Sequence, residues 1–298
     1  MKTYCKILIA LLCFTSPAYG SVFSPPPVSD NHDKVNTVLF EVRSDEVDKV
    51  SYLFGTHHAF GNTFFDSLKN ATQALLSSQI LIKENLDIPG QLAEDIINRR
   101  TTTTDWSRYL HKRDLPFVDS IFSKSEVALD KVTPTELHVI LSRYYNERIC
   151  NAKALGDSVL TLDGYIGTLG KQQGLQLIGL ETIEEQLALI AKDVEGMPRK
   201  VHKRRLRDLI ERIRQKDQNA CSQTDWYKNM EFDLQLDQPC QNTLLLTQRN
   251  DKWMLEIDRQ LQAGSCFVAV GFSHLMFECG LINQLKHLGY TVKPIPVN

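Results

Sequence analysis

Two stretches share one shape and decide the fold: Val50-Ser51-Tyr52-Leu53-Phe54-Gly55-Thr56-His57-His58 and Cys266-Phe267-Val268-Ala269-Val270-Gly271-Phe272-Ser273-His274. Each is an apolar run of strand character that breaks at a glycine and presents a histidine three residues later. Each is followed by a helical pattern and then a second short apolar run. A strand–Gly-x-x-His–helix–strand unit repeated at opposite ends of a chain predicts one site built from two halves. Histidine serves both as a transition-metal ligand and as a general base, so the pair is the first pointer to chemistry.

Outward from these units, the chain reads as strands at both ends and helices between. Val35–Val42 and Val50–Phe54 flank a polar break at Ser44-Asp45-Glu46 and predict a hairpin. Phe64–Ser77 has helical spacing, and Gln79–Ile82 is a short strand ending at Glu84. Residues 91–125 predict short helices with loops. A helix starts at Thr133-Pro134-Thr135-Glu136, with proline at its first position, and runs to about Cys150. Leu160–Gln172 is helical and Leu175–Leu180 is a strand. Thr182-Ile183-Glu184-Glu185 is a capping box that opens the next helix. Met197–Lys216 is a basic helix with one apolar stripe (Leu206, Leu209, Ile210, Ile213). Leu244–Leu261 is a long amphipathic helix. The last elements are a strand at Cys266–Val270, a helix at Leu281–Leu288 and a strand at Tyr290–Ile295. The expected architecture is α/β: a mixed central sheet formed by the two Gly-x-x-His halves, with a helix-rich middle insertion and no linker dividing residues 35–298.

Composition is that of a globular chain: 298 residues, 42% hydrophobic and 23% charged. Residues 1–20 have the form of a secretory signal, with Lys2 and Lys6, an apolar run over Ile7–Phe14, and Ala18-Tyr19-Gly20 at the cleavage end. The apolar run is too short to span a bilayer, and no later segment has transmembrane length. Residues 21–34 are a proline-rich, polar lead-in. Loss of Lys2 and Lys6 takes the net charge from −2 to −4, which argues against a nucleic-acid partner. Export to a periplasm or to the medium is the expectation. Of seven cysteines, Cys5 and Cys13 leave with the leader. Among the remaining five, the local pairs Cys221–Cys240 and Cys266–Cys279 are the disulfide candidates, and the odd count leaves one thiol free.

His58, Glu84, Glu181 and His274 each follow a strand. In open α/β sheets the carboxyl ends of the strands gather the ligand. Two imidazoles and a carboxylate from that set suit a divalent metal with an open position for water. Such a metal would acidify the water and polarise a carbonyl. Arg249, with Asn250 on the long late helix, is placed to hold a carboxylate or a substrate oxyanion. The chain has no His-Glu-x-x-His, Gly-x-Ser-x-Gly, phosphate-loop or Gly-x-Gly-x-x-Gly motif, which counts against zincins, serine hydrolases and nucleotide enzymes. The basic run over Arg199–Lys216 reads as a solvated helix face.

The ordered motifs resemble the TraB/GumN family, which is related to the Tiki-type secreted metalloproteases and more distantly to erythromycin esterase and ChaN-like proteins. The matching residues are Tyr52-Leu53-Phe54-Gly55-Thr56-His57-His58, Ile82-Lys83-Glu84, Gly179-Leu180-Glu181-Thr182-Ile183-Glu184-Glu185-Gln186, Arg249-Asn250, and Val268 to Leu275 continuing to Gly289-Tyr290-Thr291-Val292. The resemblance implies an α/β fold with two related halves. For the Tiki-type branch it implies metal-dependent peptide hydrolysis at the two Gly-x-x-His motifs plus a glutamate. On this chain His58, Glu84 and His274 become the metal ligands, and the metal is Mn²⁺, Co²⁺ or Zn²⁺. Arg249 becomes the oxyanion stabiliser, and Glu181 the group that orients a ligand or takes a proton. The chain departs from the family pattern at His57, where an aliphatic residue is common, and at Gln248, where glutamate is. A small residue after the second histidine is delayed to Gly280. The leading expectation is an exported metal-dependent hydrolase, a peptidase acting on a peptide or small molecule. The alternatives are a protein that sequesters a peptide or signal without turnover, and an esterase-like hydrolase with histidine as a metal-free general base.

Overall fold

Alternation and β-branched content place the sheet, and glycine and capping residues set its borders. The computed structural model describes residues 34–45, 49–123, 125–158 and 160–298. The expected leader over 1–20 and nearly all of the lead-in lie outside them. Six strands form a mixed sheet: β2 (Leu39–Arg43), β3 (Ser51–Thr56), β4 (Ile80–Lys83), β5 (Gln176–Gly179), β7 (Cys266–Gly271) and β8 (Thr291–Pro294), in the order β5-β4-β7-β3-β2-β8. β1 (Lys34–Val35) and β6 (Phe232–Asp233) form a separate short antiparallel pair. Val35 therefore does not continue into the hairpin, which is β2 against β3, with Leu39 opposite Phe54.

β5, β4, β7 and β3 run parallel, so their carboxyl ends share one rim. The two Gly-x-x-His units are neighbours on β3 and β7, one residue out of register, with Gly55 opposite Val270 and Thr56 opposite Gly271. Beyond the last β4–β5 pair the ladder continues: Glu181 N–H donates to the Glu84 carbonyl at 2.8 Å. The strands buried on both faces read as continuous apolar runs, as parallel strands do. All six residues of β7 and all four of β4 are buried, including Lys83.

The helices are α1 (Asn62–Asp66), α2 (Lys69–Ser77), α3 (Ala93–Asn98), α4 (Leu115–Phe122), α5 (Pro134–Arg148), α6 (Leu162–Gln172), α7 (Ile183–Asp193), α8 (Arg199–Gln215), α9 (Ser222–Asn229), α10 (Gln248–Ala263) and α11 (Leu281–His287). The predicted helix over Phe64–Ser77 is thus two helices with a break at Ser67-Leu68. The predicted capping boxes are present: Thr133 and Thr182 each accept from the third helical residue, while Glu136 and Glu185 return the bond. α9 and β6 follow no clear period in the sequence.

Two hydrophobic cores result. One lies about the sheet and takes in β2, β3, β4, β7, α2, α10 and α11. The other lies within the middle insertion and is built by α3, α4, α5, α7 and α8, with Leu206, Leu209, Ile210 and Ile213 of the basic helix turned inward as predicted. The disulfides differ from the expected local pairs. They are Cys150–Cys221 and Cys240–Cys279, with Cα atoms 5.4 and 5.9 Å apart, and Cys266 is the free thiol. The reason is positional. Cys266 opens the central strand β7 with its side chain sealed in the core, whereas Cys279 lies in the loop beyond the second histidine. Among the described residues no helix is long and apolar enough to cross a membrane.

Candidate active site

The rim residues are brought together by four strand ends and one helix. His58 stands two residues past β3, Glu84 one past β4, Glu181 two past β5 and His274 three past β7. α10 adds Arg249 and Asn250. All of these except His58 are strongly buried: Glu84 is 5% exposed, Glu181 8%, Arg249 3%, and Asn250 and His274 0%. Gly55 matters here because the chain after β7 approaches it closely. A Cβ on Gly55 would stand 2.4 Å from Phe272 Cδ2 and 3.2 Å from Phe272 Cα.

Arg249 is the hub. Its Nε and Nη2 donate to the two oxygens of Glu181 at 3.1 and 2.5 Å, and Nη2 also donates to Glu84 Oε2 at 3.0 Å. Its Nη1 lies 2.9 Å from His274 Nε2 and reaches the Leu245 carbonyl at 3.5 Å. Five N–H groups thus meet five contacts, and a substrate oxyanion would have to displace one. The guanidinium also lies 4.4 Å over the Trp253 ring, which in turn packs 4.4 Å from His274. Glu84 is held further by Gly271 N–H to Oε1 at 2.8 Å and Gln186 Nε2 to Oε2 at 3.2 Å. Burial raises the Glu84 pKa, and the neighbouring positive charge of Arg249 only partly offsets it.

The two motif histidines are anchored differently. His274 Nδ1 is 2.6 Å from Asn250 Oδ1, while Asn250 Nδ2 donates to the carbonyls of His274 and Cys279. Asn250 therefore accepts at Oδ1, His274 carries its proton on Nδ1, and Nε2 accepts from Arg249. Burial and then the Arg249 charge push the His274 pKa well below the ordinary value, so this ring is neutral. His58 Nδ1 lies 2.6 Å from Asp163 Oδ2, and Thr56 Oγ donates to Asp163 Oδ1 at 2.5 Å. Burial opposes charge on His58, but Asp163 outweighs it and raises its pKa. Burial also opposes ionisation of Asp163, yet His58 and Thr56 hold its pKa well below the usual carboxylate range. His58 Nε2 is buried and has no partner among the described residues.

Of the histidine doublet, His58 joins the rim and His57 does not. His57 lies among Phe60 and Tyr227, with ring centroids 5.4 and 5.2 Å away, and burial lowers its pKa to about 4. Asp163 joins the rim without a mark in the sequence pattern. It lies in the first turn of α6, 105 residues from His58, where an acidic residue reads simply as a complement to the helix dipole. Asn250 was visible beside Arg249, but its hold on His274 was not.

The donor set His58, Glu84 and His274 has the chemistry of a metal site, and each imidazole has its Nδ1 fixed, as ligating histidines do. The arrangement itself does not fit a metal held by all three. His274 Nε2 and Glu84 Oε2 both face the Arg249 guanidinium, a cation already in place. Among the described residues no group of three histidine, cysteine or acidic side chains is disposed to hold a metal.

Fold and site together define an α/β protein with a buried histidine–carboxylate–arginine centre at the carboxyl rim of a mixed sheet. The chain belongs to the TraB/PrgY/gumN family, whose model matches residues 38–294. Neither a curated protein nor a solved structure matches it.

Proposed function

We propose that this chain is an exported hydrolase in which His58 is the general base. The observation that carries the reading is the His58–Asp163 pair: Nδ1 is tied to a carboxylate at 2.6 Å and Nε2 is left without a protein partner. A neutral imidazole so oriented accepts a proton from water or a hydroxyl at Nε2, and Asp163 stabilises the imidazolium that forms. Arg249 holds Glu84, Glu181 and His274 in one rigid charge network against which a substrate would be positioned. The His58 imidazolium then returns the proton to the leaving group, while the Glu84 carboxylate stays paired with Arg249. The two disulfides suit an oxidising compartment and support export.

A second reading keeps the metal. It is favoured by the fixed Nδ1 atoms of both imidazoles and the open Nε2 of His58, and it requires Arg249 to turn away from His274 and Glu84. One experiment separates the two: hydrolysis of a panel of peptides and esters by the purified protein, with and without chelator, for the native chain and His58→Ala. General-base catalysis predicts turnover indifferent to chelator and reduced by about 10²–10⁴-fold in His58→Ala. Turnover lost on chelation and restored by added Mn²⁺, Co²⁺ or Zn²⁺ would establish the metal reading. Tight binding of a peptide recovered intact would instead establish sequestration.

A further inference from the structure

The basic helix α8 carries eight basic residues against two acidic ones, in a chain whose net charge is −2. Leu206, Leu209, Ile210 and Ile213 seal its inner face in the core of the insertion. The cations crowd its first half, where six of them precede the first acid, Asp208. Arg205 is half-buried, with Asp193 as its counter-charge. Arg199, Lys200, Arg204 and Arg207 are exposed, and Lys203 is half-buried beside them.

This placement runs against what stabilises a helix. α5 and α7 each start on a threonine cap with glutamate in the first turn. α8 starts after Pro198 with no side-chain cap and no acid in its first turn, and Arg199 and Lys200 stand at the positive end of its dipole. Arg199 and Lys203, Lys200 and Arg204, and Lys203 and Arg207 are like charges four residues apart, a spacing at which they repel. The nearby acids do not compensate. Asp208 pairs with Arg207 at 2.9 Å, and Glu211 lies 3.8 Å from Arg113. Arg199, Lys200, Lys203 and Arg204 make no ion pair and no side-chain hydrogen bond among the described residues. Solvation calls for charge, but not for one sign of charge gathered at the end of the helix that disfavours it. From Arg199 to Arg207 the cations span about 12 Å along the axis at the α-helical rise. One small anion meets one or two of them, whereas an extended array of phosphates meets all. The apolar stripe is already buried, so the helix has none to insert, and contact is electrostatic and peripheral. A chain exported as proposed above crosses a bilayer, whose anionic headgroups form an array of that kind.

We infer that the outer face of α8 docks the protein on an anionic phospholipid surface. The inference goes beyond the hydrolase reading and draws on its export alone, for the choice of surface. Flotation of the full chain with vesicles tests it without turnover. The protein should rise with vesicles containing phosphatidylglycerol at about 0.03 M salt and leave them at about 0.3 M, where the charges are screened. It should not rise with vesicles of phosphatidylcholine alone. Lys200→Gln with Arg204→Gln, both exposed, should weaken binding by about 10–30-fold. Lys252→Gln with Arg259→Gln removes the same charge from exposed positions on α10 and should change binding by less than about 2-fold. No flotation at low salt, equal flotation with both kinds of vesicle, or a control variant that weakens binding as much as the α8 variant would overturn the inference. So would binding to heparin without binding to vesicles, which would make the partner a soluble polyanion. A protein that binds anionic vesicles through α8 but is retained inside the cell would sink the export reading and leave the docking face standing.

Discussion

The turn after β3 and the turn after β7 start from the same sequence pattern on adjacent parallel strands, yet they hold their histidines in opposite electrostatic settings. His58 faces a carboxylate, and its pKa rises. His274 faces an asparagine oxygen and a guanidinium, and its pKa falls far below the ordinary value. The motif supplies position, and the partner supplies chemistry. One ring takes up a proton more readily than a free imidazole, while its counterpart is a neutral acceptor that helps seat Arg249. The duplicated shape is therefore not a duplicated environment.

The largest effect should come from removing the cation at the hub of the rim. Arg249→Met leaves Glu84 and Glu181, both buried, without their counter-charge, and should destabilise the fold by about 3–5 kcal/mol, read as a lowered urea midpoint. A loss under 1 kcal/mol, roughly what an exposed ion pair contributes, would show that the network is not the anchor described here. The next effect sharpens the other side. Asp163→Asn puts an amide against His58, which favours the tautomer with its proton on Nε2. Turnover should fall by about 10²–10⁴-fold. The pH-rate profile should also change, because the limb set by the raised His58 pKa should move to lower pH. Unchanged turnover would remove His58 from the role of base.

The smallest effect concerns His57, the member of the doublet outside the site. Its folded pKa, about 4, is below its ordinary 6.5. Below pH 6.5 the unfolded chain binds a proton that the folded chain refuses, so stability falls as pH drops from 6.5 towards 4. A gap of this size is worth up to about 3 kcal/mol. His57→Gln should flatten that slope in urea titrations at pH 7 and pH 5, with the remainder carried by other buried neutral histidines such as His274.

Much of this arrangement was legible in the chain itself. The glycine breaks at Gly55 and Gly271 and the strand-end acids Glu84 and Glu181 located the rim, because a buried parallel strand writes its length directly as an apolar run. The capping boxes at Thr133 and Thr182 fixed two helix starts for the same local reason. What could not be read depends on long-range approach. Asp163 meets His58 only because α6 packs back across β4. The disulfides join Cys150 to Cys221 and Cys240 to Cys279 across 71 and 39 residues, where local pairing was expected. Arg249 was visible as a site residue, but its full complement of partners was not.

The start of the long late helix carries a consequence of its own. A π-helical turn over Thr243–Thr247 precedes α10. Within it Leu245 is rooted in the core of the middle insertion, whereas Trp253, Met254, Ile257 and Leu261 further along the rod are rooted in the core of the sheet. Arg249 lies between those roots. The two cores are thus coupled through one axle, and the charged centre sits at its bearing. Neither the strand-rich ends nor the helical middle of the chain contains a complete site. The inserted segment is a structural member of the histidine–carboxylate–arginine centre, as necessary to its assembly as the strands that carry the histidines.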